Sequence, residues 1–91
     1  MPGVSVEKIL EWARNTNSTV EFFFENSPYR IRIDKLIRAV DPSGNIVPWT
    51  RAFGVKKPAD VLATFHVKKI VVKKEGEEKE LRSLEELSTL V

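Results

Sequence analysis

Residues 18–25 read STVEFFFE and residues 28–36 read PYRIRIDKL. The fold turns on these two runs. Both are rich in β-branched and aromatic residues, and Asn26-Ser27 between them suits a tight turn. Side chains alternate across a strand, so directly opposed residues share a face. A two-residue turn at Asn26-Ser27 sets Phe24 opposite Tyr29, Phe22 opposite Ile31 and Val20 opposite Ile33, an apolar face that must be core. The other face then carries Phe23 across from Arg30 and Glu21 across from Arg32. A slip of one residue would set Phe22 and Phe24 against arginines, so the first register is expected.

Upstream, Ser5 reads as an N-cap, with Val4 and Ile9 placed as a hydrophobic staple. Val6, Ile9, Leu10 and Ala13 fall on one helical face with Trp12 at its border, and Asn15 and Asn17 are stop residues. The spacing predicts a helix over 5–14. Downstream, residues 36–40 continue extended or bend. Asp41-Pro42-Ser43-Gly44 is a turn with Pro at its second and Gly at its fourth position. Residues 45–50 form a short strand whose Pro48 implies an edge or a bulge. Residues 51–59 (RAFGVKKPA) read as a loop punctuated by Gly54 and Pro58.

Residues 64–74 are the longest β-like run. Phe65 and Val67 are out of phase with Ile70 and Val72, and one extra residue near Lys68-Lys69, a β-bulge, would restore a single apolar face. Glu75-Gly76 turns the chain so that residues 79–81 pair back. Ser83 to Glu86 matches the capping box S-x-x-E and starts a short terminal helix with Leu84, Leu87 and Val91 on one side and Leu90 nearby. The order is α-β-β-β-loop-β-β-α. This predicts a single α+β domain over 1–91, an antiparallel sheet of four to five strands with an N-terminal helix and a short C-terminal helix.

The net charge of +2 hides a strong asymmetry. Between Arg30 and Lys74 eleven cations face three aspartates, a balance of +8, whereas the first 29 residues carry −2 and the last 17 carry −4. A polyanion docking on the middle of the chain is therefore expected. No cysteine occurs, which suggests a reducing, cytoplasmic setting and removes disulfides and thiolate metal sites. No run approaches the roughly 18 apolar residues of a membrane span. Met1-Pro2-Gly3-Val4 has neither the basic nor the apolar region of a signal peptide. Abundant Glu, Lys and Arg beside a single Met fit a thermophile.

Chemistry is sparse. His66 is the only histidine, so no nucleophile–base pair can be built without it, and the aspartates lack ligand-like spacing. The glycines at 3, 44, 54 and 76 make no phosphate-binding loop. No catalytic residue, metal or cofactor is expected. Binding residues are easier to find. Phe23 with Arg30 and Arg32 forms one group, in which Phe23 packs under a second helix, lies in a subunit interface or stacks a base. Trp49, Arg51, Phe53, Lys56 and Lys57 form another, with one ring buried and the other a clamp for a single strand. Phe53, between Arg51 and Gly54, is the expected platform, and Trp49 the anchor. Lys68 and Lys69 complete the set. Lys68-Lys69 or Lys73-Lys74 would also serve as guards of a sheet edge. The acidic Glu75, Glu77, Glu78 and Glu80 read as a solvated turn that keeps a nucleic acid on the other side of the molecule.

This combination resembles the ThermoDBP-related proteins, small archaeal single-stranded-DNA-binding proteins. The likeness lies in the helix over 5–14, the run Val20-Glu21-Phe22-Phe23-Phe24, the pair Arg30 and Arg32, and the segment 49–57. The resemblance implies a basic, hydrophobic cleft for single-stranded DNA. The long C-terminal leucine zipper of some relatives has no counterpart, since residues 83–91 are too short for a coiled coil. The expected function is non-enzymatic binding of single-stranded nucleic acid through a basic, aromatic-lined cleft, with little sequence specificity. A second reading is a protein-interaction or homo-oligomerisation module built on Phe23, Leu84, Leu87, Leu90 and Val91. A third is an RNA-end recognition or processing subunit in which His66 meets a terminal phosphate.

Overall fold

The computed structural model describes residues 5–91. Helix α1 runs Val6–Thr16, with the Ser5 hydroxyl accepting from the Lys8 N–H at 3.1 Å and Asn17 closing it in the left-handed conformation at φ 54°. Both caps are as expected. Val4, the other half of the staple, lies outside the described residues. Val6, Ile9 and Ala13 are the buried stripe of α1.

The strands are β1 (Ser18–Phe24), β2 (Arg30–Ile33), β3 (Ile37–Val40), β4 (Ile46–Val47), β5 (Val67–Lys74) and β6 (Glu77–Leu81). They form one sheet in the order β4-β3-β2-β1-β5-β6, antiparallel throughout. The sheet thus has six strands rather than four to five. Val20 pairs with Ile33, Glu21 with Arg32 and Phe22 with Ile31, the expected register. The two-residue turn at Asn26-Ser27 does not form, and the ladder ends before Phe24 and Tyr29. Past Phe24 the chain is held on the β5 side instead: the Glu25 N–H donates to the His66 carbonyl at 2.9 Å, and the His66 N–H to the Asn26 side chain at 3.2 Å.

Residues 34–36 bend β2 back into β3 around the Asp34 carboxylate, which accepts from the Lys35 and Leu36 N–H groups. Asp41 organises the next turn, accepting from the N–H groups of Ser43 at 3.0 Å and Asn45 at 2.8 Å. The bulge in β5 is present. Phe23 pairs with Lys69 but Phe24 pairs with Val67, leaving Lys68 as the extra residue. Ile70 and Val72 thereby return to the core face.

Two helices occupy the stretch read as loop and strand start, α2 (Trp49–Phe53) and α3 (Pro58–Thr64). Each is too short for its periodicity to stand out. Pro48 precedes the first and Gly54 ends it at φ 66°, while Pro58 starts the second, where its missing N–H costs nothing. Helix α4 (Leu84–Ser88) begins at the expected box, with the Ser83 hydroxyl accepting from the Glu86 N–H at 3.3 Å. The Glu86 carboxylate accepts from the Arg82 N–H at 3.1 Å, one residue before the cap.

One hydrophobic core joins Val6, Ile9 and Ala13 of α1, Phe53 of α2, Val61 and Leu62 of α3 and Leu87 of α4 to a single parity of sheet residues. Those are Val20, Phe22 and Phe24, Ile31 and Ile33, Ala39, Ile70 and Val72, and Leu81. All four helices therefore lie on one face of the sheet. Among the described residues, no helix covers the other face.

Candidate nucleic-acid interface

The structure divides the expected site residues between two places, so no single cleft holds them all. On the open face Lys69 pairs with Phe23, and Arg30, whose guanidinium lies beside the Phe23 ring just past the end of the β1–β2 ladder, pairs with Val40, which pairs with Ile46. The adjacent row runs Glu80, Val71, Glu21, Arg32 and Arg38 from β6 to β3. Val40 and Val71 are buried yet stand apart from the helix-side core, as their parity requires.

Phe23 is the centre of this face. The Arg30 guanidinium lies 4.6 Å from its ring centroid and the Lys69 ammonium 4.8 Å. No helix packs over the ring, which removes one of the three roles open to it from sequence. Its neighbours differ in how far they are committed. Glu21 is buried and accepts from Arg32 Nε at 2.7 Å across the β1–β2 ladder. Asp34 accepts from Arg38 Nη2 at 2.8 Å, while Arg38 Nε is buried without a partner. Burial pushes the Asp34 carboxyl up, but the Leu36 N–H, the Arg38 guanidinium and the Lys35 N–H together outweigh it and hold the group below its ordinary value. Lys73 stands across from Glu78. Arg30 and Lys69 have no carboxylate within ion-pair distance among the described residues. With Lys73, which makes no ion pair with Glu78, they are the cations of the open face left free to meet a ligand.

Two expectations about charge are corrected here. Strand β5 is paired on both sides, so its lysines guard no edge, and the charges of Glu77, Glu78, Lys79 and Glu80 on β6 take that place. Nor do the acidic residues lie wholly apart from the basic ones. Glu78 and Glu80 share the open face at its β6 end, which directs an anion toward β1, β2 and β3.

The second group sits on the helix side. Helical spacing puts Trp49 and Phe53 four residues apart on one side of α2, where their ring centroids are 4.7 Å apart. Phe53 is only 5% exposed and makes edge contacts with Phe24, Tyr29 and Phe65 at 6.1, 6.4 and 5.8 Å. The expected roles are therefore reversed: Phe53 is the core ring and Trp49, half-buried, the outer one. Trp49 Nε1 also donates to the Lys56 carbonyl at 2.7 Å, latching the α2–α3 connection. Arg51, Lys56 and Lys57 are exposed on that side, as is Lys68 at the bulge. Val55, at 98% exposure, caps the connection. His66 is exposed and is held through its backbone.

Sequence reading missed Arg38 and Lys73 on the open face. Lys73 is four residues from Lys69 on the same strand, a signal that was present. Arg38 needed the bend at 34–36 to be located before its pairing with Arg32 could be seen. In the terminal helix Leu87 is fully buried, and Leu84, Leu90 and Val91 pack against the core, so the surplus apolar surface expected there is absent. Among the described residues, the exposed large apolar ones are Leu36, Ile46 and Val55.

The chain matches no protein-family model, no curated protein and no solved structure.

Proposed function

We propose that this protein binds single-stranded nucleic acid on the open sheet face, without catalysis and with little sequence specificity. One observation carries the reading: an uncovered sheet face centred on Phe23, with the free cations Arg30 and Lys69 beside it. A sheet displaying an aromatic ring among cations suits an unpaired strand, because phosphates take the charge and bases lie on the ring. A duplex hides its base faces and gains only the charge. The strands of this face present no Asn or Gln toward solvent. The amide groups that pair bidentately with adenine are missing there, and Arg32 and Arg38 are engaged by carboxylates, which favours weak specificity. The resemblance to the ThermoDBP-related proteins favours DNA over RNA.

The test is a titration of labelled single-stranded DNA, single-stranded RNA and duplex over a range of salt. Arg30, Lys69 and Lys73 meeting three phosphates give a log–log salt slope of about −2 for a single strand. Single strands are expected to bind more tightly than duplex. Absence of binding at low salt overturns the proposal.

A second reading is self-association. Ile46 is 52% exposed on β4, a two-residue edge strand, and Leu36 is 58% exposed in the β2–β3 bend, at the other end of β3. Sedimentation at high micromolar concentration decides it, with a clean monomer excluding this reading.

A further inference from the structure

Resting on the nucleic-acid reading, we infer that Phe23 is a gated stacking platform. Lys69 covers one side of the ring until a phosphate draws it away, and that side then receives one unpaired base.

The geometry behind this is asymmetric. Strands β2 and β5 flank β1, so Arg30 and Lys69 approach the Phe23 ring from opposite flanks of that strand, at 4.6 and 4.8 Å from its centroid. A base cannot lie flat on either side while a cation occupies it. Arg30 is tethered, because its Nη2 also donates to the Pro42 carbonyl at 3.0 Å in the turn after β3. Lys69 has only the ring, with no carboxylate partner among the described residues. It is a point charge on a flexible four-carbon stem. A cation–π contact at an exposed site favours the closed position by only about two- to fivefold. A phosphate oxygen, which gives the ammonium a charge-assisted hydrogen bond, outcompetes it. Arg30 stays as the backing of the ring, and Lys69 is the part that moves.

The ligand unit this selects is a nucleotide whose unpaired base is next to a phosphate. A polyanion without bases opens the gate and gains no stack. A nucleoside without phosphate meets a closed gate.

The experiment compares a labelled twelve-residue oligothymidylate with an abasic deoxyribose-phosphate strand of the same length, at one low salt concentration. Wild type, Phe23→Leu and Lys69→Thr are each measured, with thermal melting to confirm folding. Wild type is expected to prefer the base-bearing strand by roughly tenfold, the value of about one stacked base. Phe23→Leu is expected to erase that preference and keep its affinity for the abasic strand. Lys69→Thr is expected to bind the abasic strand several-fold more weakly and to keep the wild-type base preference, since the phosphates of either strand already draw the lysine off the ring. It is expected to bind thymidine, which has no phosphate to open the gate, about two- to fivefold more tightly than wild type does.

A wild-type preference near one, or Phe23→Leu weakening both strands alike, makes the ring a mere spacer and overturns the inference. Equal binding of thymidine by wild type and Lys69→Thr overturns the gate. That result decides the matter even if Phe23→Leu fails to fold. All three leave the nucleic-acid reading standing. Only a wild type that binds neither strand at low salt removes that reading, and the gate with it.

Discussion

Phe22 and Phe23 are neighbours in sequence and belong to different environments. Phe22 is fully buried in the helix-side core, whereas Phe23 stands half-exposed between two cations on the open face. The helix side is held by apolar burial and ring contacts, which are insensitive to salt and costly to disturb. The open face is held by ion pairs and backbone hydrogen bonds, which respond to charge, salt and pH. Strand alternation alone separates the two. A substitution in this sheet should therefore affect either stability or ligand affinity first, according to its parity.

The largest expected effect tests the helix side. Phe53→Ala removes the ring that touches Phe24, Tyr29, Trp49 and Phe65, and should destabilise the fold by about 3–5 kcal/mol in urea unfolding. Trp49→Ala should cost about half of that, because the indole is only partly buried, and it should also loosen the Lys56 latch. Neither should alter single-strand affinity per folded molecule. An affinity loss confined to Trp49→Ala would move the binding site toward α2.

On the open face, Glu21→Gln should separate stability from affinity. Losing the charge-assisted bond to Arg32 should cost about 1–3 kcal/mol in the same unfolding measurement. Binding to a single strand at low salt should tighten by a few-fold, because a buried anion is gone and Arg32 is released. A parallel fall of both quantities would mean that Glu21 also orders the binding surface.

The smallest expected effect is a response to acid. Asp34 is held below its ordinary value in the folded protein, so its stabilisation is complete above the unfolded value near 4 and is lost as pH falls through the folded one. Unfolding free energies from urea titrations at pH 5 and downward should therefore decline more in wild type than in Asp34→Asn, by on the order of 1 kcal/mol. Equal declines would leave the Asp34–Arg38 pair without a part in acid stability.

Much of this architecture was legible in the sequence because the signals were local and redundant. Parity in residues 18–25 and 28–36 set the central pairing, and the phase break before Ile70 revealed the bulge. Ser5 and Ser83 announced two helices. What stayed hidden were α2, whose five residues lie between a proline and a glycine, the marks of a loop, and α3, which starts at the proline that closed the same loop. With Trp49 on a strand and Phe53 in a loop the rings point apart; wound into one helical turn, they point the same way. That one difference reversed their roles. The site was legible as a composition of cations and rings, but its division between two faces required knowing that every helix falls on the same side.

The β1–β5 ladder has a further consequence, for the route by which the sheet forms. Ser18 pairs with Lys74 and Phe24 with Val67, so the centre of the sheet joins distant parts of the chain. Helix α1 and strands β1 to β4 can assemble from local contacts, whereas closing β5 onto β1 carries the loop entropy of the whole intervening segment. During synthesis β1 has to wait for a partner that emerges late. Until then one edge of it is bare, with Phe22 and Phe24 on one side and Phe23 on the other. The lysines of β5 are attached to the strand that ends this exposure, so the open face acquires Lys69 and Lys73 only when the fold is complete.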